Sequence, residues 1–397
     1  MRDRAIVPAG IAIVGATYGL ARYTYGLFVP EIGADFALDA FALGLVASGS
    51  YAAYLIATLF GSTVSATLGP RLPVVLGGVA AAGGMAAIAL APNVWVLAAG
   101  VVLAGASPGL AYPPMSDAVM RLVPERGQNR AYAWINSGTS FGVLVSGPVA
   151  ILAGTEWRTA WLVFAGVALA ATLWNAWLLP GRATTAGEVR EPAPRLTRAF
   201  LARAEARPLF AGALAFGLVT SVFWTFAVEL VVAQGGLAPD AGRTFWILIG
   251  IAGVLGGLAG DLVRRFGLSG VLAAGTATIA LATGVLALAP GNAPLVLAAG
   301  ALYGAAFILV TGLYGIWSVN VFNDRPSAGF GATFFLISAG QLVGPALAGA
   351  MAQAMGLGRV FLVCALLALA LSALRPAHDV RAMSRDANPQ GEAPCGG

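Results

Sequence analysis

The sequence contains no lysine; all 22 basic residues are arginine. A phosphate-binding loop of the Walker type needs a lysine to reach the phosphates, so this chain is not its own P-loop ATPase. Schiff-base chemistry with retinal or pyridoxal phosphate is excluded for the same reason. Histidine is nearly absent as well, with His378 the single one. A three-ligand zinc centre or histidine-based proton transfer has almost nothing to draw on, and neither a metal nor a cofactor is expected. The two cysteines sit in unlike settings, Cys364 in an apolar run and Cys395 in a polar tail, which argues against a disulfide. Charge of either sign is scarce, at 10% of 397 residues against roughly 25% in a soluble domain.

In place of charge there is apolar surface. Hydrophobic residues make up 59% of the chain, and the mean hydropathy is +0.84. A soluble fold of this size cannot hide that much apolar area, so the solvent must be a bilayer. Soluble, disordered and fibrous classes drop out. The 53 glycines suit membrane helices, whose backbones approach closely where side chains are small.

Apolar stretches long enough to span a bilayer, at ~20 residues each, fall at 6–29, 41–67, 72–91, 94–120, 131–153, 158–179, 208–233, 243–263, 268–289, 294–320, 327–354 and 357–375. The expectation is an all-α membrane protein with twelve transmembrane helices. A cleaved signal peptide over the first 40 residues is a weaker alternative, because the first apolar run is too long for one. With the N-terminus in the cytoplasm, 18 of the 22 arginines fall on the inner side. Arg158, Arg243 and Arg359 fall outside, and Arg22 lies within the first span. The opposite orientation inverts the positive-inside rule at nearly every loop, so both termini are expected in the cytoplasm of a cell with an inner (plasma) membrane. The net charge of +5 thus follows topology, and no nucleic-acid partner is expected. A monomer suffices for this architecture.

The two halves of the chain repeat one another. Ala89-Leu-Ala-Pro92 and Val96-Leu-Ala-Ala-Gly100 recur as Ala287-Leu-Ala-Pro290 and Val296-Leu-Ala-Ala-Gly300, at offsets of 198 and 200. Ser146-Gly147-Pro148 matches Val343-Gly344-Pro345, and Trp161-Leu-Val-Phe-Ala165 matches Phe361-Leu-Val-Cys-Ala365. Three matches in one order at near-constant offset are hard to give to chance. Six spans separate the matched positions. An even number preserves orientation, so the repeats are parallel. The expected organisation is a six-helix bundle over 1–181, a cytoplasmic linker over 182–207, a second bundle over 208–376 and a cytoplasmic tail over 377–397. The arginine-rich stretch Arg195–Arg207 is either a surface helix or a solvated linker.

Over nearly its full length the chain resembles the Major Facilitator Superfamily. The stretch Gly257-Leu-Ala-Gly-Asp261-Leu-Val-Arg264-Arg265-Phe-Gly267 is similar to that family's Gly-x-x-x-Asp-Arg-x-Gly loop. Its counterpart in the first half keeps Gly69 and Arg71 but has Ala66 where the acid is expected. Glu156-Trp-Arg158-Thr-Ala-Trp161 also looks like the family. The first span, with Gly19-Leu-Ala-Arg22-Tyr-Thr-Tyr25 and then Pro30, resembles the YbfB/YjiJ-like bacterial permease branch. The resemblance implies a secondary transporter that works by alternating access. Gly69, Arg71, Gly257, Asp261, Arg264 and Arg265 would then belong to its gating loops.

Arg22 is the one basic residue well inside a span. An arginine at the centre of an isolated helix costs ~2.5–3.5 kcal/mol on insertion scales, so it needs a partner, a wet cavity or an anionic ligand. At helical spacing it shares a face with Gly15, Tyr18, Gly19, Tyr25 and Gly26, small and aromatic residues that suit a cavity wall. It is a forked donor for a carboxylate or phosphate, or else it snorkels outward or pairs with Glu31 or Glu229. A complementary wall is expected from Asn136, Thr220, Trp224, Tyr314, Trp317 and Gln341, although each of these alone also fits helix packing. Glu31 and Glu229 are the candidates for proton coupling, or are ordinary rim residues. The favoured function is transport of a small organic anion. Export of neutral or amphipathic metabolites or drugs is the alternative, and a transport-dead membrane sensor a remote one. An enzyme lacks the catalytic groups within the spans.

Overall fold

The computed structural model describes residues 2–180, 203–374 and 376. Most of the expected linker, including most of Arg195–Arg207, and the tail with His378 and Cys395 lie outside the described residues. Twelve apolar helices follow in chain order: α1 (Ala5–Phe36), α2 (Ala40–Ser65), α3 (Arg71–Ala89), α4 (Val94–Leu122), α5 (Glu125–Ala153), α6 (Trp157–Leu178), α7 (Ala206–Gln234), α8 (Pro239–Phe266), α9 (Leu268–Leu288), α10 (Ala293–Val321), α11 (Ala328–Met355) and α12 (Leu357–Leu371). The first eleven are each long and apolar enough to cross a bilayer. The twelfth, with 15 residues, reaches about 22 Å at 1.5 Å per residue.

The ends of the helices run past the expected spans. α1 continues through Pro30 to Phe36, α5 starts at Glu125, α7 starts at Ala206 inside the expected linker, and α8 starts at Pro239. Hydropathy stops where the apolar run stops, but a helix continues into water wherever its hydrogen bonds and caps allow. Glu31 and Asp35 are therefore helical, and Asp39 is the N-cap of α2, accepting from Ala42 N–H at 2.8 Å. Arg243, expected at the outer edge of the eighth span, is a buried residue within α8.

Capping repeats with the sequence. Asn93 accepts from the N–H groups of Trp95 and Val96 at the start of α4, and Asn292 accepts from Leu295 N–H at the start of α10. Gly69 and Gly267, 198 positions apart, follow α2 and α8 with φ of 84° and 80°, where a side chain would be strained.

Packing repeats as well. α2 packs on α4, α3 on α4 and α6, and α1 on α5; six helices later α8 packs on α10, α9 on α10 and α12, and α7 on α11. Two parallel six-helix repeats account for this pattern. They meet along α2/α11 and α5/α8. Outside the bundle, Ile56, Leu152, Leu281 and Leu366 are between 57% and 87% exposed, a surface that only lipid can cover at low cost.

Candidate functional site

α1 is not a uniform α-helix. Gly15–Tyr23 is wound as a π-helix and Thr24–Phe28 as a 3₁₀-helix. Thr24 Oγ1 donates to the Gly19 carbonyl at 2.8 Å, taking up an acceptor that the change of winding leaves available. Widening to i→i+5 shifts the faces. Tyr23, about 100° from Arg22 on an ordinary helix, now approaches Tyr18, with ring centroids 6.4 Å apart. π-helical insertions inside α-helices are frequent at functional sites.

Arg22 lies near the middle of α1 and is 6% exposed. It does not snorkel. Nor does it pair with Glu31 or Glu229. Its Nη2 donates to Gln341 Oε1, near the middle of α11, at 2.8 Å. Its guanidinium carbon stands 3.7 Å from the ring centre of Tyr54, 4.8 Å from Tyr51, 5.5 Å from Tyr18 and 5.6 Å from Tyr23. Aromatic faces lower the cost of a buried cation, by about 2 kcal/mol where it is desolvated. They do not neutralise it. Among the described residues no carboxylate pairs with Arg22, and its Nε is buried with no acceptor.

A cavity of about 10 Å³ opens beside Arg22, space for roughly one water. Tyr23, Tyr25, Ser50, Tyr51, Trp224 and Thr225 help line it, and no acid does. Trp224 Nε1 is a second buried donor with no acceptor. Gly26 brings α7 in close, since a Cβ there would overlap the Trp224 carbonyl. Trp224 in turn stacks on Tyr23, with centroids at 4.4 Å and planes 28° apart.

The structure thus gathers Arg22, Tyr18, Tyr25, Trp224 and Gln341 of the expected site. Tyr18 hydrogen-bonds Tyr54 hydroxyl to hydroxyl at 2.9 Å, while Tyr25 donates to the Leu43 carbonyl at 3.1 Å. Asn136 is one step removed: it accepts from Tyr112, whose ring meets the edge of Tyr18. Of the expected wall residues only Trp224 lines the cavity itself, and three have their contacts elsewhere. Thr220 is fully buried and spends its hydroxyl on the Phe216 carbonyl. Tyr314 and Trp317 stack on each other, and Tyr314 packs on Phe216 of α7, in the interior of the second repeat. Polar side chains in membrane helices often serve the neighbouring helix, and depth along a span does not reveal which way they face. Tyr23, Tyr51 and Tyr54 went unread. The i, i+3 spacing of Tyr51 and Tyr54 on α2 was the available signal, whereas Tyr23 needed the π-turn.

One end of the bundle is clasped. Arg243 of α8 donates to the Gly154 carbonyl at 2.6 Å and to Asp240 at 2.8 Å, and stands 3.4 Å from Glu31 of α1. On the other seam, Gln353 of α11 donates to Asp39 at 2.7 Å and Ala346 N–H to Ser48 Oγ at 3.1 Å. Backbones touch there: a Cβ on Gly44 would overlap the Pro345 carbonyl, and one on Gly349 the Ala40 carbonyl. Glu229 is half-buried near the end of α7.

At the opposite end, Asp261 pairs with Arg264, Arg265 lies over Phe266, Gly257 falls in a 3₁₀ stretch and Arg71 begins α3. Ser65, next to Ala66 in the chain, donates to the buried Asp117 of α4 at 2.6 Å.

A membrane bundle of two sixfold repeats meeting at a buried, donor-rich centre is the architecture of a solute carrier. The chain belongs to the Major Facilitator Superfamily, whose model matches residues 11–345. It is a membrane transporter of that family and not an enzyme. It is 28% identical over 333 residues to the transcription regulatory protein OpdE of Pseudomonas aeruginosa, covering 82% of this chain and 81% of that one. Among solved structures, a point mutant of the nucleoside transporter NupG superposes with a TM-score of 0.78 at 13% identity, covering 94% of this chain and 97% of that one. A D-xylose–proton symporter gives 0.73 at 15% identity, covering 94% and 97%. A bacterial homologue of the human lysosomal transporter Spinster gives 0.71 at 13%, covering 94% and 95%. At such identities these structures share the fold with this chain.

Proposed function

We propose that the protein moves a small organic anion of the carboxylate type across the cytoplasmic membrane by rocker-switch alternating access, and that Arg22 binds the anion. One observation carries this reading. Arg22 is a buried cation with no carboxylate partner among the described residues, and its Nε has no acceptor. A charge left in this state is costly, and an anion that accepts from Nε and Nη removes the cost. The lining adds donors and no acid, which disfavours cations. Gln341 and Trp224 come from the second repeat, so the ligand would touch both halves at mid-membrane, as rocking requires.

On this reading the clasped end faces outward, both termini are cytoplasmic and the carrier acts as a monomer. Glu31 and Glu229, near the clasp, are the candidates to carry a coupling proton. The YbfB/YjiJ-like branch is the proposed subgroup. The small cavity is a closed state, and the wall must part to admit a ligand. A second reading has support from a relative: OpdE is named as a transcription regulatory protein, which fits a transport-dead sensor.

The test is thermal unfolding of purified protein with panels of small carboxylates, lipophilic cations and neutral metabolites, on wild type and Arg22→Ala. A ligand at 100 times its Kd adds about 2.7 kcal/mol. Stabilisation by carboxylates that disappears in Arg22→Ala is the expected result. If cations or neutral amphiphiles stabilise both proteins alike, Arg22 is structural and the export reading takes over. Uptake of the stabilising anion into proteoliposomes then separates a carrier from a sensor.

A further inference from the structure

The stacked pair Tyr23 and Trp224 joins the two repeats. Tyr23 sits on α1 and Trp224 on α7, their centroids are 4.4 Å apart, and both line the cavity beside Arg22. Around them the aromatic surface continues. Phe307 meets Tyr23 edge-on at 6.1 Å and Trp224 edge-on at 5.3 Å, while Trp246 meets Trp224 edge-on at 5.2 Å. Phe307 therefore borders both rings of the pair, and Trp246 supports the Trp224 ring. On the Arg22 side stand the rings of Tyr51 and Tyr54.

Any motion that parts the repeats at this depth must part Tyr23 from Trp224. What it uncovers is a pair of facing π-surfaces with a donor at each edge. Arg22 Nε and Trp224 Nε1 are both buried without acceptors. A ligand that enters here meets two flat walls and a cation, and the walls lose their mutual contact unless the ligand replaces it. An aliphatic body gives back only dispersion. A planar aromatic body restores stacking on both faces.

We infer that Tyr23 and Trp224 form a clamp for a planar ring, so that the preferred substrate is an aromatic carboxylate whose carboxylate pairs with Arg22 and whose ring lies between the two side chains. This inference rests on the anion reading above and narrows it. The Gln341 amide, whose oxygen holds Arg22 in the closed state, lies within reach of the same carboxylate. Arg22 and Gln341 would set the charge of the substrate, and Tyr23 and Trp224 its planarity.

The test compares benzoate with cyclohexanecarboxylate, which matches it in charge and nearly in size but is not planar or aromatic. Benzamide serves as the neutral aromatic control. Apparent Kd values are read from ligand-dependent melting shifts of the full chain and from quenching of tryptophan fluorescence. The expected result is roughly 2- to 10-fold tighter binding of benzoate than of cyclohexanecarboxylate, the range that an aromatic pair adds beyond burial. That preference should survive Trp224→Phe and vanish in Trp224→Leu, while Arg22→Ala should weaken both carboxylates. Equal binding of the two carboxylates overturns the clamp and leaves the anion site standing. Benzamide binding as tightly as benzoate overturns the anion reading on which the inference rests, and no response to benzoate overturns the clamp. The wild-type comparison alone decides the matter if Trp224→Leu fails to fold.

Discussion

At the residue scale, Arg22 shows how a charge can be kept deep in a bundle with no counter-charge among the described residues. Four tyrosine faces and one amide oxygen hold it, and its buried Nε has no acceptor. Gln341→Glu would supply the missing carboxylate permanently. Anion-dependent stabilisation should then weaken on the order of tenfold or more, because a close buried charge pair couples by ~1.5 kcal/mol or above. Thermal unfolding with and without anion reads this directly. Arg22→Lys should not restore binding, since an ammonium lacks the planar fork and the stacking face. Outside the membrane, Asp324 shows the opposite situation. Its carboxylate takes both arms of the Arg203 fork at 2.7 and 2.8 Å, and that bond holds its pKa below the usual aspartate range. The folded value is lowered, so the pair contributes above the ordinary aspartate pKa and is lost as pH falls through the lowered one. Asp324 is exposed and Arg203 partly so. Asp324→Asn should therefore shift the melting temperature only slightly at neutral pH and low salt, and less still in high salt.

At the scale of elements, glycine decides where helices meet. A Cβ on Gly19 of α1 would overlap Gly142 of α5, and a Cβ on Gly217 of α7 would overlap Ile337 of α11. Gly19 and Gly217 stand 198 positions apart, and each sets the helix that carries a site residue, Arg22 in one case and Trp224 in the other. Gly217→Val should cost about 1–3 kcal/mol or more by overpacking, measured as a lower melting temperature in detergent. Gly270→Ala, in α9 with nothing within 4 Å of the added carbon, should be neutral or slightly stabilising on helix propensity. The π-turn in α1 belongs to this scale too. Helical periodicity brought Tyr18 and Tyr25 to the face of Arg22, because a wheel assumes one winding throughout. It left out Tyr23, which only the local change of pitch turns toward the site. Neither the propensities of Gly15–Tyr23 nor their spacing announces that change.

At the scale of the whole molecule, the two repeats are clasped at one end through Arg243 with Glu31 and Gly154, and through Asp39 with Gln353. If rocking opens this end, a disulfide across the α2/α11 seam should arrest it. Ser48→Cys with Ala346→Cys, in a background where Cys364 and Cys395 are replaced, should cross-link under mild oxidation. Proteoliposome transport should stop and return with reductant. Uninterrupted transport with the bond formed would mean that this seam does not open.

The sequence alone determined the solvent, the number of helices and the parallel repeat, because hydropathy and internal similarity are carried by local composition and spacing. It also singled out Arg22, since a charge inside an apolar run is visible without any fold. Direction within the bundle lay beyond it. Thr220, Tyr314 and Trp317 have the depth and chemistry of wall residues, yet they face packed neighbours. Arg243 and Glu31 are 212 positions apart and meet only when α8 crosses α1. Tertiary structure decided these pairings, because which face of a membrane helix meets a partner depends on close backbone approach at a few glycines and on one change of helical winding, and neither leaves a periodic trace in the chain.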